Sequence, residues 1–182
     1  AQEQIAPLAS PEPLAFLRFV QGMVAYSRGD EPVAEALLAD AIDQFRALGP
    51  GQLVWFLGGL GLAQASLGKL AEAAACAAEL EQLVAALPPG TMSTSEPLAY
   101  LATIALALGD AERLERYAPL LVAFGGQFHD FLIDRLLGEI ALRRGDWPAA
   151  ERLLAAAAAL AGAEALPSEL AYSLAAQARL EQ

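Results

Sequence analysis

The sequence predicts an all-α protein: an α-α superhelix of four helical hairpins followed by a C-terminal capping helix. Three observations predict it. Ala (42) and Leu (33) supply 75 of the 182 residues, whereas Val, Ile and Thr together supply 14. Ala and Leu are strong helix formers, and β-branched residues are what a pleated sheet needs. A glycine corner recurs four times, as Ser27-Arg28-Gly29-Asp30-Glu31-Pro32, Ser66-Leu67-Gly68-Lys69-Leu70-Ala71, Ala107-Leu108-Gly109-Asp110-Ala111-Glu112 and Arg143-Arg144-Gly145-Asp146-Trp147-Pro148. The corner glycines are 39, 41 and 36 residues apart, a period that belongs to helix pairs stacked as a solenoid.

Each element has its own signals. Helix 1 is read over 11–28, opened by Ser10 before Pro11 and closed by Gly29; a glycine ends a helix by taking the left-handed conformation. Helix 2 (30–48) starts at Asp30, an N-cap residue type, with Pro32 in its first turn. Leu48-Gly49-Pro50-Gly51 ends it. Helices 3 (52–67) and 4 (70–87) flank Gly68, and Leu87-Pro88-Pro89-Gly90 opens a longer link. Helix 5 (96–108) starts at Ser95-Glu96-Pro97, and helix 6 (111–124) follows Gly109-Asp110 and stops at Gly125-Gly126. Helices 7 (127–144) and 8 (147–161) flank Gly145-Asp146, and helix 9 (168–181) begins after Pro167 as the unpaired cap. No interior linker is polar or long enough to divide domains, so residues 10–182 read as one domain behind a flexible tail at 1–9. The missing initiator Met and a last helical pattern that runs to the final residue fit a piece of a longer protein.

Small residues stand at fixed offsets from each corner. Seven before it are Gly22, Gly61, Ala102 and Gly138; five after it are Ala34, Ala73, Leu114 and Ala150; twelve after it are Ala41, Leu80, Leu121 and Ala157. Small side chains at these places let two helices cross closely. The pattern resembles the tetratricopeptide repeat (TPR) over about residues 12–161, with the third unit degenerate. The lengthened repeats are similar to those of large bacterial signalling proteins, LuxR-type regulators with a nucleotide-binding domain among them. The resemblance implies a right-handed solenoid whose first helices line a concave groove. It points to Phe16, Phe19, Met23, Tyr26, Trp55, Leu62, Arg135, Glu139 and Arg143 as groove residues, apolar early and charged late. The Lys/Arg/Asn clamp with which some members of that family hold carboxyl-terminal peptides is missing from the early repeats.

Composition excludes several function classes. The formal net charge is −11, spread over both halves of the chain, so no basic stripe offers itself to nucleic acid or to an anionic membrane. No apolar run spans a membrane, and no signal peptide precedes the first helix. The lone Cys76, set among alanines, reads as a buried structural thiol and fits a cytoplasmic location. His129 is the single histidine; with Asp130 and Asp134 it makes a helix-terminal polar cluster rather than a metal site, since one imidazole does not close a transition-metal site. Gly58-Gly59-Leu60-Gly61 lacks the Lys-Ser/Thr of a phosphate loop. Trp147 reads as a hairpin-packing residue. The expectation is a non-catalytic scaffold without cofactor, the TPR-like segment of a larger bacterial cytosolic transcriptional regulator. Its partner would be a protein or peptide, another domain of the same chain included. The alternative is an effector-sensing domain that holds a small apolar ligand in the groove.

Overall fold

Helix-forming composition becomes helix almost throughout. The structure, a computed structural model, describes residues 11–48, 53–88 and 92–181; the tail expected at 1–9 lies outside them. The elements run α1 (Pro11–Ser27), α2 (Glu31–Leu48), α3 (Leu53–Ser66), α4 (Leu70–Ala85), α5 (Met92–Leu108) and α6 (Ala111–Leu121). A 3-10 turn at Val122–Phe124 follows, then a minimal antiparallel pair, β1 (Phe128–His129) with β2 (Phe131–Leu132), and finally α7 (Ile133–Arg144), α8 (Trp147–Ala163) and α9 (Pro167–Ala178). The chain forms two compact units that meet in sequence at Ala86 and Leu87, where the proline-rich link begins. Within the first, α1 packs on α2, α2 on α3 and α3 on α4; within the second, α5 pairs with α6, α7 with α8, and α8 with α9.

The four corners close with one hydrogen-bond scheme. Gly29, Gly68, Gly109 and Gly145 all have positive φ, between 69° and 75°. Glycine reaches this region without the Cβ clash that other residues meet there. The residue after each glycine donates its N–H back five positions: Asp30 to Ala25, Lys69 to Gln64, Asp110 to Ala105 and Asp146 to Ala141, at 2.9–3.0 Å. That bond satisfies a carbonyl the helix end would otherwise leave open. Asp110 and Asp146 then cap the next helix, their carboxylates accepting from the N–H groups of Arg113 and Ala149. Lys69 cannot cap in this way, and its Nζ instead reaches Glu35 at 2.7 Å.

Hairpin packing follows from the small residues. A Cβ on Gly22 would lie 2.7 Å from Leu38 Cγ, and one on Gly138 would lie 2.7 Å from Leu154 Cγ. Both pairs sit seven residues before and nine after their corner, so the two hairpins share one crossing. The positions five and twelve after each corner are buried in all four hairpins. The helix α3 is buried nearly all round, from Leu53 through Ala63 apart from the half-buried Trp55, as expected of a helix flanked on more than one side. Phe56 stacks on Phe45 at 4.1 Å between centroids and meets Phe19 edge-on at 4.4 Å.

Four expectations need correction. Helix 5 begins at Met92 rather than 96, so Pro97 lies inside it and not in its first turn. Helix 6 gives way after Leu121 to the 3-10 turn. Helix 7 starts at Ile133 rather than 127: Asp130 adopts φ 55° at the tip of the β1–β2 pair, which occupies residues assigned to helix. Trp147 does not pack into the hairpin but is 55% exposed at the first turn of α8.

Candidate functional site

The nine residues expected to line a groove fall into two sets, one in each unit. In the first, Phe16 is 56% exposed and rests on Phe19 and Phe56, with centroids 6.5 and 6.4 Å away. Met23 is half-buried, and Gly59 opposite it is small enough to admit its sulfur, which a Cβ there would approach to 2.9 Å. Tyr26 is half-buried too, its Oη 3.3 Å from Ser66 Oγ on α3. Trp55 is half-buried, and Leu62 belongs to the core. The structure thus brings Phe16, Phe19, Met23 and Tyr26 to the side of α1 that meets α3. Phe16 is the most exposed of them.

The charged set is engaged internally. Arg135 is buried, and its Nε and Nη2 meet the two carboxylate oxygens of Glu169 on α9 at 2.8 and 3.1 Å. Its Nη1 donates to Glu139 at 2.6 Å, and Glu139 also accepts from Arg179 at 3.2 Å. The Leu132 N–H donates to Glu169 at 2.9 Å. Tyr172 places its ring 5.4 Å from the same guanidinium. Burial acts to lower the Arg135 pKa, but hydrogen bonds and charge from Glu169 and Glu139 outweigh it and raise it. These residues clasp α9 to α7, with Leu132, Ala157 and Ala161 forming the apolar seat beneath. Arg143 donates to the Leu106 carbonyl at 2.5 Å, a cation placed at the C-terminal end of α5 where the helix dipole favours it.

A second polar cluster was not singled out by sequence. Tyr100, fully buried, donates its hydroxyl to Asp130 at 2.7 Å, and Phe131 stands edge-on to its ring. Glu96, one turn before Tyr100 on α5, is hydrogen-bonded to the same Asp130. Burial, then the charge and hydrogen bond of Asp130, push its carboxyl up to about 7. The hydrogen bonds that Glu96 and Tyr100 make with Asp130 tie the β1–β2 tip to α5. The i, i+4 spacing of Glu96 and Tyr100 was legible; their meeting with Asp130 depends on the short strand pair.

No group of three His, Cys, Asp or Glu among the described side chains comes together as a metal site; the side chain of His129 lies outside those described. Cys76 is half-buried, donates to Gln64 at 3.3 Å, and is pushed up to about 11, first by burial, so the nucleophilic thiolate is scarce at neutral pH. Among the described residues, no helix is long and apolar enough to cross a membrane. Comparison of the chain with known protein families and with curated proteins gives no match.

Proposed function

We propose that this chain is a non-catalytic protein-binding scaffold, a TPR-like superhelical segment of a larger bacterial cytosolic regulator. The observation that carries the proposal is the aromatic ledge of Phe16 on Phe19 and Phe56, with its outermost ring left half in solvent. An aromatic side chain held rigidly by its neighbours loses little entropy on contact and supplies a large apolar area. The repeated corners support the same reading, because stacked hairpins present extended surfaces suited to peptide or helix partners. The charged residues of α7 serve this scaffold by fastening its last helix rather than by meeting the partner.

Thermal-shift measurements against helical peptides and against metabolites test it. Stabilisation by peptides that is lost in Phe16→Ala is the expected result. Stabilisation by metabolites alone, lost in Trp55→Ala, would replace the scaffold with an effector sensor.

A further inference from the structure

The helices of a packed hairpin bury apolar stripes, as α8 does with Ala150, Leu154, Ala157 and Ala161. The stripe that α9 buries is Glu169, Ser173 and Ala176, at i, i+4 and i+7. Its larger apolar side chains lie elsewhere. Tyr172 and Leu174 are each about half exposed, and Leu170 packs half-buried at the seat of Leu132, Ala157 and Ala161. Among the described residues Ser173 Oγ is buried without a hydrogen-bond partner, which works against docking. The link that leads into the helix is held in a demanding conformation as well. Ala165 has φ 52°, in the left-handed region where a Cβ is strained. The docking of α9 therefore leans on the clasp of Glu169 with Arg135 and the Leu132 N–H.

That clasp does not act on α7 alone. Leu132 is the last residue of β2, so Glu169 also holds the strand pair. Phe131, beside it, meets the Tyr100 ring edge-on at 5.1 Å and lies 6.0 Å from the Arg135 guanidinium. The ring of Tyr172 on α9 lies 5.4 Å from the same guanidinium. Tyr100 in turn donates to Asp130 at the strand tip. Strands of two residues do not stand by themselves in water, and this pair is gripped from two sides, by α5 through Tyr100 and by α9 through Glu169. A half-open arrangement is disfavoured. With Glu169 withdrawn, a buried guanidinium loses its main partner and the Leu132 N–H loses its acceptor.

We infer that α9 and the β1–β2 pair form one two-position latch, closed by Glu169, in which the helix and the strands open together. Opening uncovers the Arg135 guanidinium and the Leu132 N–H, donors that Glu169 fills in the closed form. The latch is independent of the scaffold reading and of where a partner binds.

Native-state hydrogen exchange on the whole labelled chain, followed by NMR at increasing denaturant, tests it. The N–H groups of Leu132 and Ile133, the latter bonded to the Gln127 carbonyl at 3.1 Å, report on the strands. Those of residues 173–178 report on α9. The two sets should share one opening equilibrium and one denaturant slope, and exchange about tenfold or more faster than the α8 amides of residues 154–160. Glu169→Gln keeps the side-chain shape and removes the charge; Tyr100→Phe keeps the ring and removes the hydroxyl. Because coupling is reciprocal, each variant should speed both sets by the same factor. Glu169→Gln speeding α9 alone, Tyr100→Phe speeding the strands alone, or no change in either variant overturns the latch. One protection level throughout the second unit, α8 included, also overturns it, since nothing then opens as a separate element. Should Glu169→Gln fail to fold, the Tyr100→Phe comparison decides by itself.

Discussion

Gly22 admits Leu38 in the α1–α2 hairpin just as Gly138 admits Leu154 in the α7–α8 hairpin, with the same 2.7 Å limit on any added Cβ. Beyond that shared crossing the two hairpins differ. α7 buries Ile133, Leu136 and Ile140, and fastens α9 through Arg135 and Glu169. α1 leaves Leu17, Val20 and Val24 in solvent, and the ion pair of its Arg18 with Asp40, at 3.2 Å, is about half exposed on both sides. A repeat therefore fixes its hairpins by steric fit, while the chemistry of its outer faces is set locally. One hairpin is locked by charge, and the other keeps an apolar face open.

The largest expected difference between them lies in these ion pairs. Glu169→Ala leaves Arg135 buried without its main partner and should cost about 3–5 kcal/mol. Asp40→Ala, which removes an exposed partner, should cost about 1 kcal/mol or less. Denaturant unfolding measures both, and equal losses would remove the distinction. The shared crossing comes next. Gly22→Val and Gly138→Val should each destabilise by about 1–3 kcal/mol through overpacking. Leu38→Ala and Leu154→Ala should recover part of that loss in the respective double variants; additive losses would separate the two sites. Replacing a corner glycine is milder: Gly29→Ala and Gly145→Ala force a Cβ into the left-handed region at about 1–2 kcal/mol each. A neutral result at either would mean that its corner relaxes.

The smallest effect distinguishes the second unit by pH. With its carboxyl near 7 against an ordinary 4.5, folded Glu96 keeps a proton that the unfolded chain has released between those values. The folded state then binds more protons, so the Glu96 contribution lowers stability as pH rises from about 4.5 to 7 and levels off above. Glu96 is half-buried, and solvent screening keeps the slope shallow. Thermal unfolding across this range should show the slope in the native chain and lose it in Glu96→Gln. An unchanged slope would assign it elsewhere.

Much of the fold was legible because it is local. Each corner combines a glycine with a capping or turn residue, and the crossing offsets follow from helical period, so the α-helical assignment and the buried positions at Ala34, Ala73, Ala150 and Ala157 could be read directly. What escaped depends on contacts distant in sequence. Arg135 and Glu139 form a visible i, i+4 pair, but Glu169 is 34 residues from Arg135 and nothing in its own helix marks it as a partner. The residues 127–132 carry enough apolar character to continue α7 toward its N-terminus; Asp130 in a left-handed conformation breaks that continuity. Of the candidate groove, the aromatics of α1 were legible as helix-face residues, whereas the exposed set Leu17, Val20 and Val24 stands out only once its buried counterparts on α7, Ile133, Leu136 and Ile140, are known.

Binding of a protein helix by apolar contact is tested most directly by the heat-capacity change of association. Calorimetric titration of the whole chain with a helical peptide at several temperatures should give a clearly negative ΔCp, as apolar surface leaves water, and Phe16→Ala should abolish the heat. Heat from small apolar metabolites but from no helical peptide, unchanged in Phe16→Ala, would contradict it.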